Sequence, residues 1–271
     1  MIRLKHIYRL LVLSLVFIAI LTACGVKAVD NTHRTEAGSY FEKTVDVQLP
    51  LQMDFQCDYG KIEVFNWDKA AVKFEITNKV RGSLSDQELQ KRLEKFRTDI
   101  SYDGSRLFFK NAYKGKDGRY EDTFSEMYVY LPRRVMSMEY GLRQGTLKFV
   151  DDLNCDLKIS VENARVEINK LAGGINYTGK AGSLRISAGE IRNNSNIAID
   201  NGIIRIKSFF ETPGNFAITT GTGIIELELP AGLPAVFDSN GRVEEDGAVN
   251  EGSTSKFILK CGLGKIDVKR F

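Results

Sequence analysis

The sequence predicts an all-β fold, specifically a β-solenoid of roughly 20-residue coils with one short α-helix in its N-terminal part. Three observations predict it. A Gly-x-aliphatic-x-aliphatic unit recurs along the chain, and apolar and polar residues alternate through each copy with the period of a strand. From position 145 onward the copies start 19, 18, 20, 21, 18 and 23 residues apart, the length of one short coil.

The first 24 residues bear on location. Arg3, Lys5 and Arg9 precede the apolar run LLVLSLVFIAIL, which ends in Leu21-Thr22-Ala23-Cys24-Gly25. The run is short for a bilayer span, and small residues directly before a cysteine form a lipobox, so residues 1–23 read as a lipoprotein signal peptide. Similarity to bacterial lipoproteins implies a diacylglycerol on Cys24, often with an amide-linked third chain, and hence stable attachment to the membrane. Residues 24–40 read as a polar tether, and 41–271 as a single domain, irregular over 41–135 and regularly repeated over 136–271. Removing the signal takes three of the 38 basic residues and none of the 35 acidic ones, which leaves a formal charge of zero. Net charge therefore argues neither for nucleic acid nor for an acidic substrate.

Within the irregular part, Ser85-Asp-Gln-Glu88 has the spacing of a capping box. Leu89, Leu93 and Phe96 follow at helical intervals, which predicts a helix over 86–97. ISYD, SRLFFKNAY and FSEMYVYLP read as strands. Such a segment can cover the open end of a repeat stack.

The repeats are GKIEV (60–64), GTLKF (145–149), ARVEI (164–168), GSLRI (182–186), GIIRI (202–206), GIIEL (223–227), GRVEE (241–245) and GKIDV (264–268). Two positions after each start, four after and five before, the residues are apolar in every copy except at Glu245. Three positions after the start they are charged in every copy. The first set faces a shared core and the second faces water. Asn-Gly at 201–202 and 240–241 would also suit hairpins, so an antiparallel β-sandwich is the alternative. Residues Gly174 to Ala181 fall one residue short of a phosphate-binding loop. They lack its final Ser or Thr and lead into another strand rather than a helix, so no nucleotide is expected.

Met53–Val80, the stretch MYVYLPRRVMSMEYGLRQGTLKF, the run of glycine-centred repeats and Leu229-Pro230 together resemble the bacterial putative-adhesin domain family of unknown function. The related head-GIN domains are similar too, and GGIN stands at 173–176. The resemblance spans about residues 44–270. It implies a β-solenoid distantly similar to pectin-lyase-like helices, no assigned catalytic residues, and a role in adhesion or envelope stress.

Residue chemistry narrows the function further. His6 leaves with the signal and His33 lies in the tether, so the domain has no imidazole for triad catalysis or a zinc site. No metal site, cofactor or catalytic residue is expected. Cys57, Cys155 and Cys261 are an odd set, with Cys57 and Cys261 at inward positions of distant repeats, so they read as unreactive thiols. Asp151 to Asp156 lacks the glycine and glutamate of a calcium loop and reads as a solvated turn, as does the acidic run Glu244-Glu245-Asp246 with Glu251. The outward column Glu167, Arg185, Arg205 and Glu226 could form a polysaccharide-cleaving patch. Ile203 and Ile224 interrupt a polar outward column in adjacent repeats, with Phe209 and Phe210 in the nearby turn, which marks a candidate partner surface.

The expected protein is a lipid-anchored extracytoplasmic module that binds at the cell envelope. Its partners are the membrane through Cys24, and cell-wall polysaccharide or an envelope protein. An envelope-stress sensor acting through a protein partner is the alternative, and a polysaccharide-active enzyme a third reading. Labelled palmitate fed to cells making the chain should enter it, and Cys24→Ser should abolish the labelling; label kept by the variant would remove the lipobox reading.

Overall fold

In the computed structural model, residues 35–116, 121–243 and 254–271 are described, and residues from Thr35 onward form one unit. The described residues are nearly all strand, joined in a 16-stranded mixed sheet with one short helix. Strands β1 (Thr35–Asp46), β2 (Leu51–Trp67) and β3 (Ala71–Gly82) lead into helix α1 (Asp86–Leu93). Then come β4 (Phe96–Tyr102), β5 (Arg106–Tyr113) and β6 (Thr123–Pro132). The repeats follow as β7 (Val135–Leu153), β8 (Asp156–Gly173), β9 (Ile175–Ile186), β10 (Gly189–Ile191), β11 (Ser195–Lys207), β12 (Phe209–Phe210) and β13 (Asn215–Leu229). Strands β14 (Ala235–Ser239), β15 (Arg242–Val243) and β16 (Ser255–Arg270) close the chain.

Strands β2, β7, β8, β9, β11, β13 and β16 pair side by side, all parallel, and in register apart from irregularities at Leu51/Gln52 and between Phe149 and Asp152. The register aligns the first residue of each repeat across the sheet: Gly60, Gly145, Ala164, Gly182, Gly202, Gly223, Gly264. Both apolar columns that follow this position are buried in every one of these strands. At the repeat start the backbones come very close. Gly182 has φ +121°, and a Cβ there would lie 1.9 Å from the carbonyl oxygen of Ala164. At Gly223, φ is +146° and the corresponding distance to the Gly202 oxygen is 1.8 Å. No L side chain fits at either position. Neither Asn-Gly pair makes a hairpin: Asn201-Gly202 runs through the middle of β11, and the strands flanking Asn240-Gly241 both pair with β16.

The C-terminal repeats are not stacked in chain order. Strand β16 pairs directly with β13, and β14 and β15 lie outside it. The first half of that displaced copy is also out of step by three residues: Ser239, not Val236, pairs with Leu259, and Phe237 pairs with Phe257 and stacks on it at 5.3 Å. Val236, expected inward, is 52% exposed, because a slip by an odd number of residues exchanges the two faces of a strand.

At the other end, β2 forks. Its first half pairs with β5, which carries β4; its second half pairs with β6, then β3 and β1. Between these arms lie stacked Phe55, Phe109 and Phe74, with centroids 4.3 and 4.7 Å apart. A buried polar network also spans them. Asn111 Nδ2 donates to Ser125 Oγ at 2.7 Å and to Asn78 Oδ1 at 3.2 Å, and Thr98 Oγ1 donates to Asn111 Oδ1 at 2.8 Å. Fully bonded, this network specifies how the arms meet. Helix α1 has the predicted capping box, with Glu88 Oε2 accepting from Ser85 N at 3.0 Å, and buries Leu89 and Leu93 against the arm. It ends at Leu93 rather than 97, because Phe96 begins β4 and pairs with Tyr113. Residues 35–40, expected in the tether, belong to β1.

Gly182→Ala or Gly223→Ala should lower stability by about 2–4 kcal/mol in denaturant melts, since both a strained φ and a backbone collision result. Gly104→Ala, at φ +95° with nothing within 4 Å, should cost only about 1–2 kcal/mol; equal losses at all three sites would refute the close-approach argument.

Candidate functional site

Outward residues of successive repeats form rows that run along the stack, perpendicular to the strands. Four positions before the repeat start the row is small: Gly141, Ser160, Thr178, Ala198. Two positions before it the row is long and charged, alternating in sign: Asp58, Arg143, Glu162, Lys180, Asp200. Arg143 and Lys180 pair with Glu162 at 3.4 and 3.6 Å. Between the two rows lies an open groove of about 780 Å³ that crosses β5, β2, β7, β8, β9 and β11. Gln56, Lys110 and Asn111 close one end. Ser160 Oγ and Thr178 Oγ1 lie 3.2 Å apart on its small side, a line of hydroxyls able to donate or accept. A second groove of about 410 Å³ lies beyond the next row, where Lys158 Nζ pairs with Glu139 at 2.8 Å.

A different surface lies on the outward face of β2 and β6. Phe65 stacks on Tyr130 at 5.5 Å, Trp67 lies 5.8 Å from Tyr130, and Tyr128 lies 6.3 Å from Phe65. Lys69 and Lys73 sit 5.0 and 5.7 Å over the rings of Trp67 and Tyr130. The repeat columns hid this cluster, since the positions corresponding to Phe65 are polar in the later repeats apart from Val150.

Ile203 and Ile224 are direct neighbours in the β11–β13 ladder, as their columns predict, and are half-buried. Phe209 is 57% exposed and lies edge-on to Phe271 at 5.9 Å. Phe210 leaves the surface. It is 5% exposed and packs against Phe216 and Phe257 at 4.8 and 5.1 Å, because the supposed turn is strand β12, whose two residues face opposite ways. Cys24 and the acidic run 244–251 lie outside the described residues.

The acidic stretch expected as a solvated turn is mostly strand, with Asp151 and Asp152 at the end of β7 and Asp156 opening β8, and it bonds internally. Asp151 Oδ2 accepts from Asn66 N at 2.7 Å, Asp152 pairs with Lys170 at 2.8 Å, and Asp156 Oδ1 accepts from Gly174 N at 2.8 Å. Glu167, Arg185, Arg205 and Glu226 do stand in consecutive strands. Three strand spacings separate the two carboxylates, about 14 Å at the backbone, too far for a pair across one glycosidic bond. Glu226 is held by Arg205 and Glu167 by Arg165. Among the described residues no helix is long and apolar enough to cross a membrane.

Cys57, Cys155 and Cys261 are free and buried. Burial raises the Cys57 thiol far above its ordinary value, and burial together with Asp156 pushes Cys155 up to about 12. Burial likewise raises the phenols of Tyr140 and Tyr177. Groups protonated more tightly in the folded state stabilise it below their unfolded pKa, and this is lost as pH rises. The denaturation midpoint should therefore fall above about pH 9, and thiol reagents should react only after unfolding; a midpoint unchanged between about pH 9 and 11 would contradict this.

The chain is similar to solved structures described as a "putative adhesin" from Parabacteroides distasonis (13% identity, covering 86% of this chain and 98% of that one, TM-score 0.43). A "putative cell adhesion protein" from Clostridium sporogenes is similar too (12% identity, 87% and 100% covered, TM-score 0.38). No protein-family model and no curated protein matches the chain.

Proposed function

We propose that the parallel stack is one β-solenoid, anchored by lipid on Cys24 outside the cytoplasm, and that it is a non-catalytic, adhesin-like module binding an extended polymer at the cell envelope. The groove of about 780 Å³ along the stack carries this reading. It is open, crosses several repeats, and offers the same kinds of group once per strand, about every 4.8 Å. A polymer laid along it meets a hydroxyl or small residue on one side and an alternating charge on the other. Such a surface suits a polyhydroxylated chain of repeating units, which makes cell-wall polysaccharide the partner of choice. Residues 41–271 contain no histidine, and the thiols of Cys57 and Cys155 are buried and hard to ionise, so the reading is one of binding without turnover.

A second reading, a stress sensor acting through an envelope protein, is favoured by the aromatic cluster of Phe65, Trp67, Tyr128 and Tyr130, since protein interfaces are rich in such residues.

The purified chain should pellet saturably with isolated cell-wall polysaccharide and release no sugar. Thr178→Trp, which fills the groove from an exposed position, should abolish pelleting without changing the melting temperature. Wild-type protein left in the supernatant, or a variant that still pellets, would sink the polysaccharide reading. A protein crosslink lost on Tyr128→Ala would instead support the second.

A further inference from the structure

We infer that β1 is the seat of a symmetric dimer, in which β1 of a second copy adds to its free edge and continues the sheet.

Among the described residues, strand β1 is the outermost strand on its side and pairs only with β3, over its whole length from Thr35 to Asp46. No described strand pairs with its second edge, and it is exposed on both faces over most of its length. Its most exposed apolar residues are central: Tyr40 is 63% exposed and Phe41 37%. Glu36, Glu42, Lys43 and Asp46 flank them.

A second copy can pair with this edge without opposing like charges, and the charges select its register. Odd-numbered residues of β1 lie opposite the buried Val72, Phe74, Ile76 and Val80 of β3, so even-numbered ones face outward. A two-fold axis perpendicular to the sheet makes the added strand antiparallel and keeps both outward faces on one side. Even-numbered residues then meet even-numbered ones. With Tyr40 opposite Tyr40 of the second copy, the ladder runs over Thr35–Val45. Glu36 then meets Thr44, Glu42 meets Gly38, Lys43 meets Ala37, and Phe41 meets Ser39, with no like charges opposed. A shift by two residues in one direction sets Glu36 against Glu42, and in the other Glu36 against Asp46, twice each by symmetry. Like charges directly opposite destabilise a strand pair. Among the registers that keep most of the strand paired, the one centred on Tyr40 is thus free of this repulsion, and it places the exposed rings at the axis.

Cross-strand neighbours lie within reach of a disulfide, and Cys57, Cys155 and Cys261 are buried and should not compete. The test uses the full chain in membranes of producing cells, treated with a mild copper oxidant and run on a non-reducing gel. Tyr40→Cys should give a covalent dimer well above the wild-type background. Glu36→Cys and Glu42→Cys should not, because the axis brings only residue 40 onto its own copy. In sedimentation of the detergent-solubilised chain the wild type should be dimeric, and Tyr40→Lys, which sets two cations face to face, should be monomeric and equally folded by circular dichroism. A monomeric wild type, a Tyr40→Cys variant no more crosslinked than wild type, or equal crosslinking at all three positions would overturn the proposal.

Discussion

The architecture depends on a close approach at the repeat start: at Gly145, Gly182, Gly202, Gly223 and Gly264 the backbone passes the preceding repeat's carbonyl at a distance no side chain can occupy, and Ala164 alone in this row carries a Cβ. Gly182 and Gly223 show the constraint most plainly, since a Cβ at either would collide with the oxygen of the preceding repeat. The approach holds because each glycine stacks on the same position of the next repeat, and a slip of register would bring a side chain into the gap. Alignment at this point fixes the rest of each strand. The buried columns then meet in ladders from β2 to β16, and parallel pairing continues to the edge of the stack.

That alignment also builds the surface. Because repeats stack in register, whatever faces outward at one position becomes a row. A row of small residues beside a row of long ones is a groove, which is how Ser160 and Thr178 come to line one wall of a trough. Charges behave in the same way. Like charges along a row would repel at strand spacing, whereas Arg143, Glu162 and Lys180 alternate and pair, so the rim of the groove is free of that repulsion. The two ends are managed differently. At one, β2 divides into antiparallel arms tied by the Asn78, Asn111 and Ser125 network. At the other, a displaced repeat covers the last one.

Much of this was legible in the residues and some was not. The inward columns, the capping box at Ser85, the outward charges and the adjacency of Ile203 with Ile224 follow from local spacing, and spacing is what a strand or helix converts directly into direction. Phe210 was misread because the inter-repeat segment looked like a turn, when it is a short strand with one face on the core. Val236 was misread because its copy is slipped relative to its neighbour. The aromatic cluster of Phe65, Trp67, Tyr128 and Tyr130 joins residues from two strands separated by a helix and three further strands in the chain, so no periodicity could announce it. The groove shares this property: each of its residues looks like an ordinary surface residue, and only their stacking makes a site.

The sequence by itself determined the all-β class, the length of the repeat, and which positions of most repeats enter the core. These are decided within one repeat, by alternation and by backbone sterics. Tertiary structure alone decided that β16 lies between β13 and β14, that β2 forks, and that among the described strands β1 is outermost. The reason is that one repeat's apolar columns would fit the columns of almost any other. Which repeats become neighbours is chosen by the packing of the whole chain, and no short stretch of it holds that information.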